Sequence, residues 1–150
     1  MTWSLVLSCH PETPASSVRG LAVCVSRRAD GVLGLAFSLE GALAELNIPA
    51  PRAPGVGHEL WRHTCFEAFI AAEDAPAYHE LNLSPSGEWA VLAFRDYRDR
   101  VPFNAQEAPR VAVRRAGNRL AMDAVVGLGS LAPAYPSAPL RLAVSAVVEA

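Results

Sequence analysis

The chain contains no lysine: its 13 basic side chains are all arginine, set against 15 acidic ones, for a formal net charge of −2. That balance leaves no broad basic surface to neutralise a nucleic-acid backbone or to hold an anionic membrane. Cysteine is also sparse. Cys9, Cys24 and Cys65 are an odd number at wide spacings, which suggests neither a disulfide framework nor a zinc knuckle. Each stands inside an apolar run, where a buried thiol is the expectation. No run approaches the roughly 20 apolar residues that a membrane-crossing helix needs. The first residues, Met1 to Pro11, lack the basic start and longer apolar stretch of a secretory leader, so a cytoplasmic location is the expectation. Phosphate-cradling glycine loops, a nicotinamide fingerprint and an Asp-rich calcium loop are all missing, which removes support for dinucleotide chemistry and for calcium.

What is present is apolar and regularly punctuated. Hydrophobic residues make up 51% of 150 positions, enough for one domain spanning the whole chain with a substantial core. Their period is close to two, and Gly, Pro and Asx turns recur at short intervals, the pattern of an antiparallel β-sandwich or barrel. Leu5, Leu7 and Cys9 alternate in a first strand, and Leu21, Val23 and Val25 in a second. Ala29-Asp30-Gly31 then turns the chain into a return strand from Val32 to Leu39. Glu40 to Glu59, with Pro49, Pro51 and Pro54, reads as a long surface connection. Leu60 to Ala71, Tyr78 to Leu83 and Glu88 to Phe94 form a meander, with Ser84-Pro85-Ser86-Gly87 as its second turn. Arg95 to Pro109 is irregular; Arg110 to Arg115 and Arg119 to Val126 flank a hairpin at Ala116-Gly117-Asn118. Gly127 to Pro139 reads as loop, and Leu140 to Glu149 as a final strand that ends the chain without a polar cap.

The chemistry concentrates in the meander. Side chains alternate across a strand, so Trp61, His63, Cys65, Glu67 and Phe69 share one face of the first segment, and Tyr78, Glu80, Asn82 and Ser84 one face of the second. If those faces coincide, two carboxylates and an amide converge beside an aromatic surface, a combination suited to a polyhydroxylated ligand. Arg62, Arg95 or Arg98 offers the alternative of a structural ion pair for Glu67. Glu67 and Glu80 also have the residue types of a glycosidase pair, which depends on their separation.

The block Leu60-Trp61-x-His63-Thr64-Cys65-Phe66-Glu67-x-Phe69-Ile70, then Tyr78-x-Glu80-x-Asn82-Leu83-Ser84-Pro85-Ser86-Gly87-x-Trp89, then Phe94-Arg95-x-Tyr97-Arg98, resembles the bacterial DOMON-like domains. These are related to family 9 carbohydrate-binding modules and to the haem- or sugar-binding DOMON domains. The resemblance implies a two-sheet jelly-roll-like sandwich with a ligand cleft on one face, acting as a non-catalytic module for a saccharide or sugar-containing metabolite. It also implies a short further segment after the final strand, so that the chain looks truncated at Ala150. The candidate ligand-binding set is Trp61, His63, Glu67, Glu80, Asn82, Trp89 and Arg95. Two other functions are weighed against it. Haem binding follows from the kinship with redox DOMON domains, although after the initiator only Met122 is available as a sulfur ligand and it reads as core. A protein-interaction module, with oligomers formed through an exposed edge strand, follows from the uncapped last strand.

Overall fold

Alternation of period two carries most of the chain into strands, and a computed structural model describes all residues, 1–150. The strands are β1 (Thr2–Val6), β2 (Val18–Arg27), β3 (Val32–Gly41), β4 (Gly55–Val56), β5 (Cys65–Ala72), β6 (Tyr78–Leu83), β7 (Glu88–Asp96), β8 (Asp99–Val101), β9 (Arg110–Ala116), β10 (Arg119–Gly127) and β11 (Leu140–Val147). They form two sheets, one in the order β1-β2-β3-β10-β9, the other β11-β5-β6-β7-β4 with β8 also paired to β7. All neighbours run antiparallel except the short β4 beside β7. The expected two-sheet β-sandwich is the observed fold.

The core lies between the sheets. Val23 and Val25 of β2, Leu35, Phe37 and Leu39 of β3 and Leu120, Met122 and Val126 of β10 point inward from the first sheet. Phe66, Ala68 and Ile70 of β5 with Leu81 and Leu83 of β6 meet them from the second. The rings of Phe37 and Phe66 stack across the interface with centroids 4.9 Å apart. Burying each such large apolar side chain is worth about 1.5–3 kcal/mol, so the inward parity of β5 and β6 is strongly held.

The hairpin glycines sit where the sequence places them. Gly31, Gly87 and Gly117 all have positive φ, which a side chain with a Cβ adopts only at a cost.

Several expectations are corrected. β1 is Thr2–Val6, so Cys9 lies beyond it and is exposed. Cys24 is exposed as well, because its neighbours Val23 and Val25 take the inward positions and alternation turns the thiol outward. Only Cys65 is buried. The strand expected from Leu60 begins at Cys65; Leu60–Arg62 is instead a 3-10 turn, entered through Glu59 at φ 52. The connection from Glu40 to Glu59 is not wholly superficial: β3 runs into it, and Leu43 and Leu46 are buried. The stretch from Arg95 to Pro109 contains the end of β7 and all of β8. The segment from Gly127 to Pro139 holds a one-turn helix, Leu128–Leu131, whose two leucines join the core together with Tyr135.

That last segment is locked by Arg27. Its Nη2 donates to the carbonyl oxygens of Tyr135 (2.9 Å), Pro136 (3.2 Å) and Ala138 (2.7 Å), with no carboxylate involved. Tyr135 Oη in turn donates to the carbonyl of Ile70 at 3.2 Å and lies 2.9 Å from His79 Nδ1. A hydroxyl has one proton to give, so His79 is the donor in the second contact and carries its hydrogen on Nδ1. Burial lowers the pKa of His79, in keeping with this neutral form.

Arg27→Ala should lower the unfolding free energy by about 2–3 kcal/mol, since charge-assisted bonds to three partly buried carbonyls are lost together; an unchanged denaturation midpoint contradicts the lock. Thiol labelling of the native protein should modify Cys9 and Cys24 and spare Cys65 until the chain is unfolded. Equal labelling of all three in the native state contradicts the burial of Cys65.

Candidate functional site

The outward face of the second sheet is built from the residues that alternate with the core positions. With Phe66, Ala68 and Ile70 inward, Cys65, Glu67 and Phe69 turn outward; with Leu81 and Leu83 inward, Tyr78, Glu80 and Asn82 do the same. Register then sets the neighbours: Glu67 lies opposite Asn82, and Phe69 opposite Glu80. On the flanks, Ser145 of β11 is opposite Glu67, while Ala90, Leu92 and Phe94 of β7 are opposite Asn82, Glu80 and Tyr78. Three of the seven sequence-nominated residues, Glu67, Glu80 and Asn82, therefore meet on one face.

Their electrostatics are unusual for a sheet surface. Glu67 is only 9% exposed, yet no ion pair reaches it or Glu80. Arg62 is taken by Glu59, Arg95 by Asp99, and Arg98 stacks on the ring of Tyr97. Ser145 Oγ donates to Glu67 Oε1 at 3.0 Å, and Glu80 stands diagonally across from Glu67 on the neighbouring strand. Burial, then the nearby charge of Glu67, push the Glu80 carboxyl up to about 7, against a weaker opposing pull from Arg100. Cys65 is pushed up to about 12, by burial first and the charge of Glu67 second, and behaves as an inert thiol.

Asn82 is fully buried, and neither Nδ2 nor Oδ1 has a hydrogen-bond partner. An amide left unpaired on both atoms costs about 1–3 kcal/mol per group, so the position is expensive as it stands. The 3-10 turn at Leu60–Arg62 packs against β5 and β6 near this end of the face. Towards the other end the face becomes aromatic. Tyr78 and Phe94 stack with centroids 4.7 Å apart, and Phe69, Tyr78, Tyr97 and Arg141 border a cleft of about 530 Å³.

The other four nominated residues lie elsewhere. Trp89 pairs with Leu83 and turns inward, half-buried against the core, because β7 keeps the parity that puts Ala90 beside Asn82. Trp61 belongs to the 3-10 turn and is 41% exposed, so strand parity does not apply to it. His63 follows that turn and its Nδ1 sits 2.9 Å from Glu149 Oε2. Arg95 is exposed at the β7–β8 edge, its Nε donating to Asp99 Oδ2 at 2.9 Å. Met122, opposite Phe37 in register, is fully buried between the sheets. Sequence reasoning did not single out Ser145, Phe94 and Arg100. Ser145 is the one hydroxyl among the apolar residues of β11, but its pairing with Glu67 depends on a long-range partnership that local pattern does not encode.

No helix is long and apolar enough to cross a membrane, and no cluster of His, Cys, Asp and Glu has the makings of a metal centre.

Because Glu80 holds its proton more tightly in the folded protein, its contribution to stability is full below the ordinary glutamate range and is lost as pH rises through about 7. Replacing it by glutamine should flatten the decline in melting temperature between about pH 5 and about pH 8. At the alkaline end the variant should exceed the parent by about 1–2 kcal/mol, after allowance for the solvent reaching a half-exposed group. Parallel curves for the two proteins contradict the raised proton affinity of Glu80. Comparisons of the chain with family models, with curated proteins and with solved structures find no match, so the reading of this face rests on its own chemistry.

Proposed function

We propose that the outward face of the second sheet binds a saccharide or sugar-containing metabolite, and that the domain works by binding, without a reaction. The observation that carries this reading is the pairing of unpartnered polar groups with an aromatic shelf on one surface. Glu67 and Glu80 have no cation, Asn82 has neither donor nor acceptor satisfied, and Phe69, Tyr78 and Phe94 continue the same face. Ring hydroxyls are both donors and acceptors, which matches an amide and a carboxyl pair; the apolar C–H side of a sugar ring matches an aromatic plane. The resemblance to DOMON-like domains and to family 9 carbohydrate-binding modules points the same way. The indoles expected to wall the site are replaced in this role by Tyr78 and Phe94, since Trp89 faces the core.

A panel of mono- and disaccharides screened by differential scanning fluorimetry tests the proposal. At least one sugar should raise the melting temperature, and Tyr78→Ala together with Asn82→Ala should each weaken its binding by about tenfold or more, the loss expected for one stacking or amide contact. A panel without any shift, or binding indifferent to both substitutions, contradicts it.

A further inference from the structure

Two edge strands leave the sandwich open along one side: β1 ends the first sheet and β11 the second. Register fixes which of their side chains face inward. Trp3 lies opposite Val25 and Leu5 opposite Val23, while Leu140 and Leu142 lie opposite Ala72 and Ile70. Residues paired across two strands share a face, so all four stand on the core side of their sheets. Yet Trp3 is 44% and Leu5 43% exposed, and Leu140 and Leu142 are only half-buried. The sheets do not close on each other here. Between them runs an apolar cleft of about 330 Å³, which Leu33 and Ile70 also line. Small-molecule sites usually occupy about 300–1,000 Å³, so one compact ligand fits.

One charge belongs to this cleft. Arg27 ends β2 opposite the buried Leu33, is half-buried, and borders the cavity. Its Nη2 is engaged by the carbonyls of Tyr135, Pro136 and Ala138, but Nε and Nη1 donate to no group of the chain, and no ion pair includes this residue. The buried side-chain nitrogen and oxygen atoms without a partner belong to Asn82 alone, so the two free nitrogens of Arg27 are reached from outside. Arg141, between Leu140 and Leu142 on β11, has the opposite parity and donates to the carbonyl of Ala75.

A permanent cation beside an apolar hollow, with no carboxylate of its own, complements an anion that carries an apolar body. An inorganic anion would leave the hollow unfilled, a neutral alkane would leave the guanidinium without a counter-charge, and an amine would be repelled. We infer that the cleft between β1 and β11 is a second binding site, for an apolar carboxylic acid of the medium-chain fatty-acid kind. Its carboxylate sits on the free N–H donors of Arg27, and its alkyl chain lies between Trp3 and Leu5 on one side and Leu140 and Leu142 on the other. The cleft is on the opposite face of the second sheet from Glu67, so the two sites are independent.

Calorimetric titration of the full chain near neutral pH, with sodium octanoate kept below the concentration at which it forms micelles, tests this. Octanoate should bind at least about tenfold tighter than octanol or octylammonium, as expected for a charge-assisted contact. Each methylene added from butanoate to octanoate should tighten binding about fourfold, the gain for burying one CH₂. Leu5→Glu changes a half-exposed position, places a negative charge in the cleft and should abolish binding; its melting temperature verifies the fold. Arg27→Gln, measured at a temperature where it is folded, should reduce octanoate to the affinity of octanol. Equal affinity for octanoate and octanol, no binding of octanoate, or binding unchanged in Leu5→Glu each overturns the inference.

Discussion

The inward packing of β5 and β6 governs this molecule. Phe66, Ala68 and Ile70 on one strand and Leu81 and Leu83 on its neighbour are fully buried against the first sheet, with Phe66 stacked on Phe37. A slip of one residue would expose all five and bury Glu67, Glu80 and Asn82 between the sheets, exchanging several strongly favourable burials for several prohibitive ones. The core thereby dictates the outward face. Nothing in the polar residues themselves aligns them; they are held together by the apolar residues between them.

What is held together is unfavourable in the free protein. Two carboxyls on adjacent strands without a counter-ion, one only 9% exposed, and a fully buried amide with no partner all lower stability, and neither carboxyl pairs with an arginine although three lie nearby in sequence. Arg62, Arg95 and Arg98 find Glu59, Asp99 and Tyr97 instead. The pair is made tolerable by a proton on Glu80 and by the hydroxyl of Ser145. Local cost concentrated at one place, beside an aromatic shelf and within an otherwise well-satisfied sandwich, is what a preorganised binding face looks like in energetic terms.

Much of this was legible from residue order alone, and for a physical reason. Wherever a strand has one buried face, period two leaves little freedom, so the turns at Gly31, Gly87 and Gly117, the meander, and the convergence of Glu67, Glu80 and Asn82 follow from alternation. Alternation misleads beyond the end of a strand and where it is overlooked within one. Trp61 and His63 precede a strand that starts at Cys65, and a 3-10 turn with apolar residues looks like the beginning of a strand. Cys24 sits in the company of Val23 and Val25, and that company is what turns it outward. Trp89 follows a tight turn, and its face depends on the register of β7 against β6, which the turn sets and composition does not. Ser145 and Arg100 join the site through β11 and β8, and no local signal predicts which edge a distant strand will take.

The account rests on Glu80 lying half-buried beside the charge of Glu67 on one face of the second sheet, with no ion pair to either, and carbon-detected NMR of the Glu80 side-chain carboxyl across a pH titration tests this most directly. Glu80 should titrate with a midpoint near about 7. If Glu80 titrates in the ordinary glutamate range, that burial and that neighbouring charge are not in place, and the binding face built on them is contradicted.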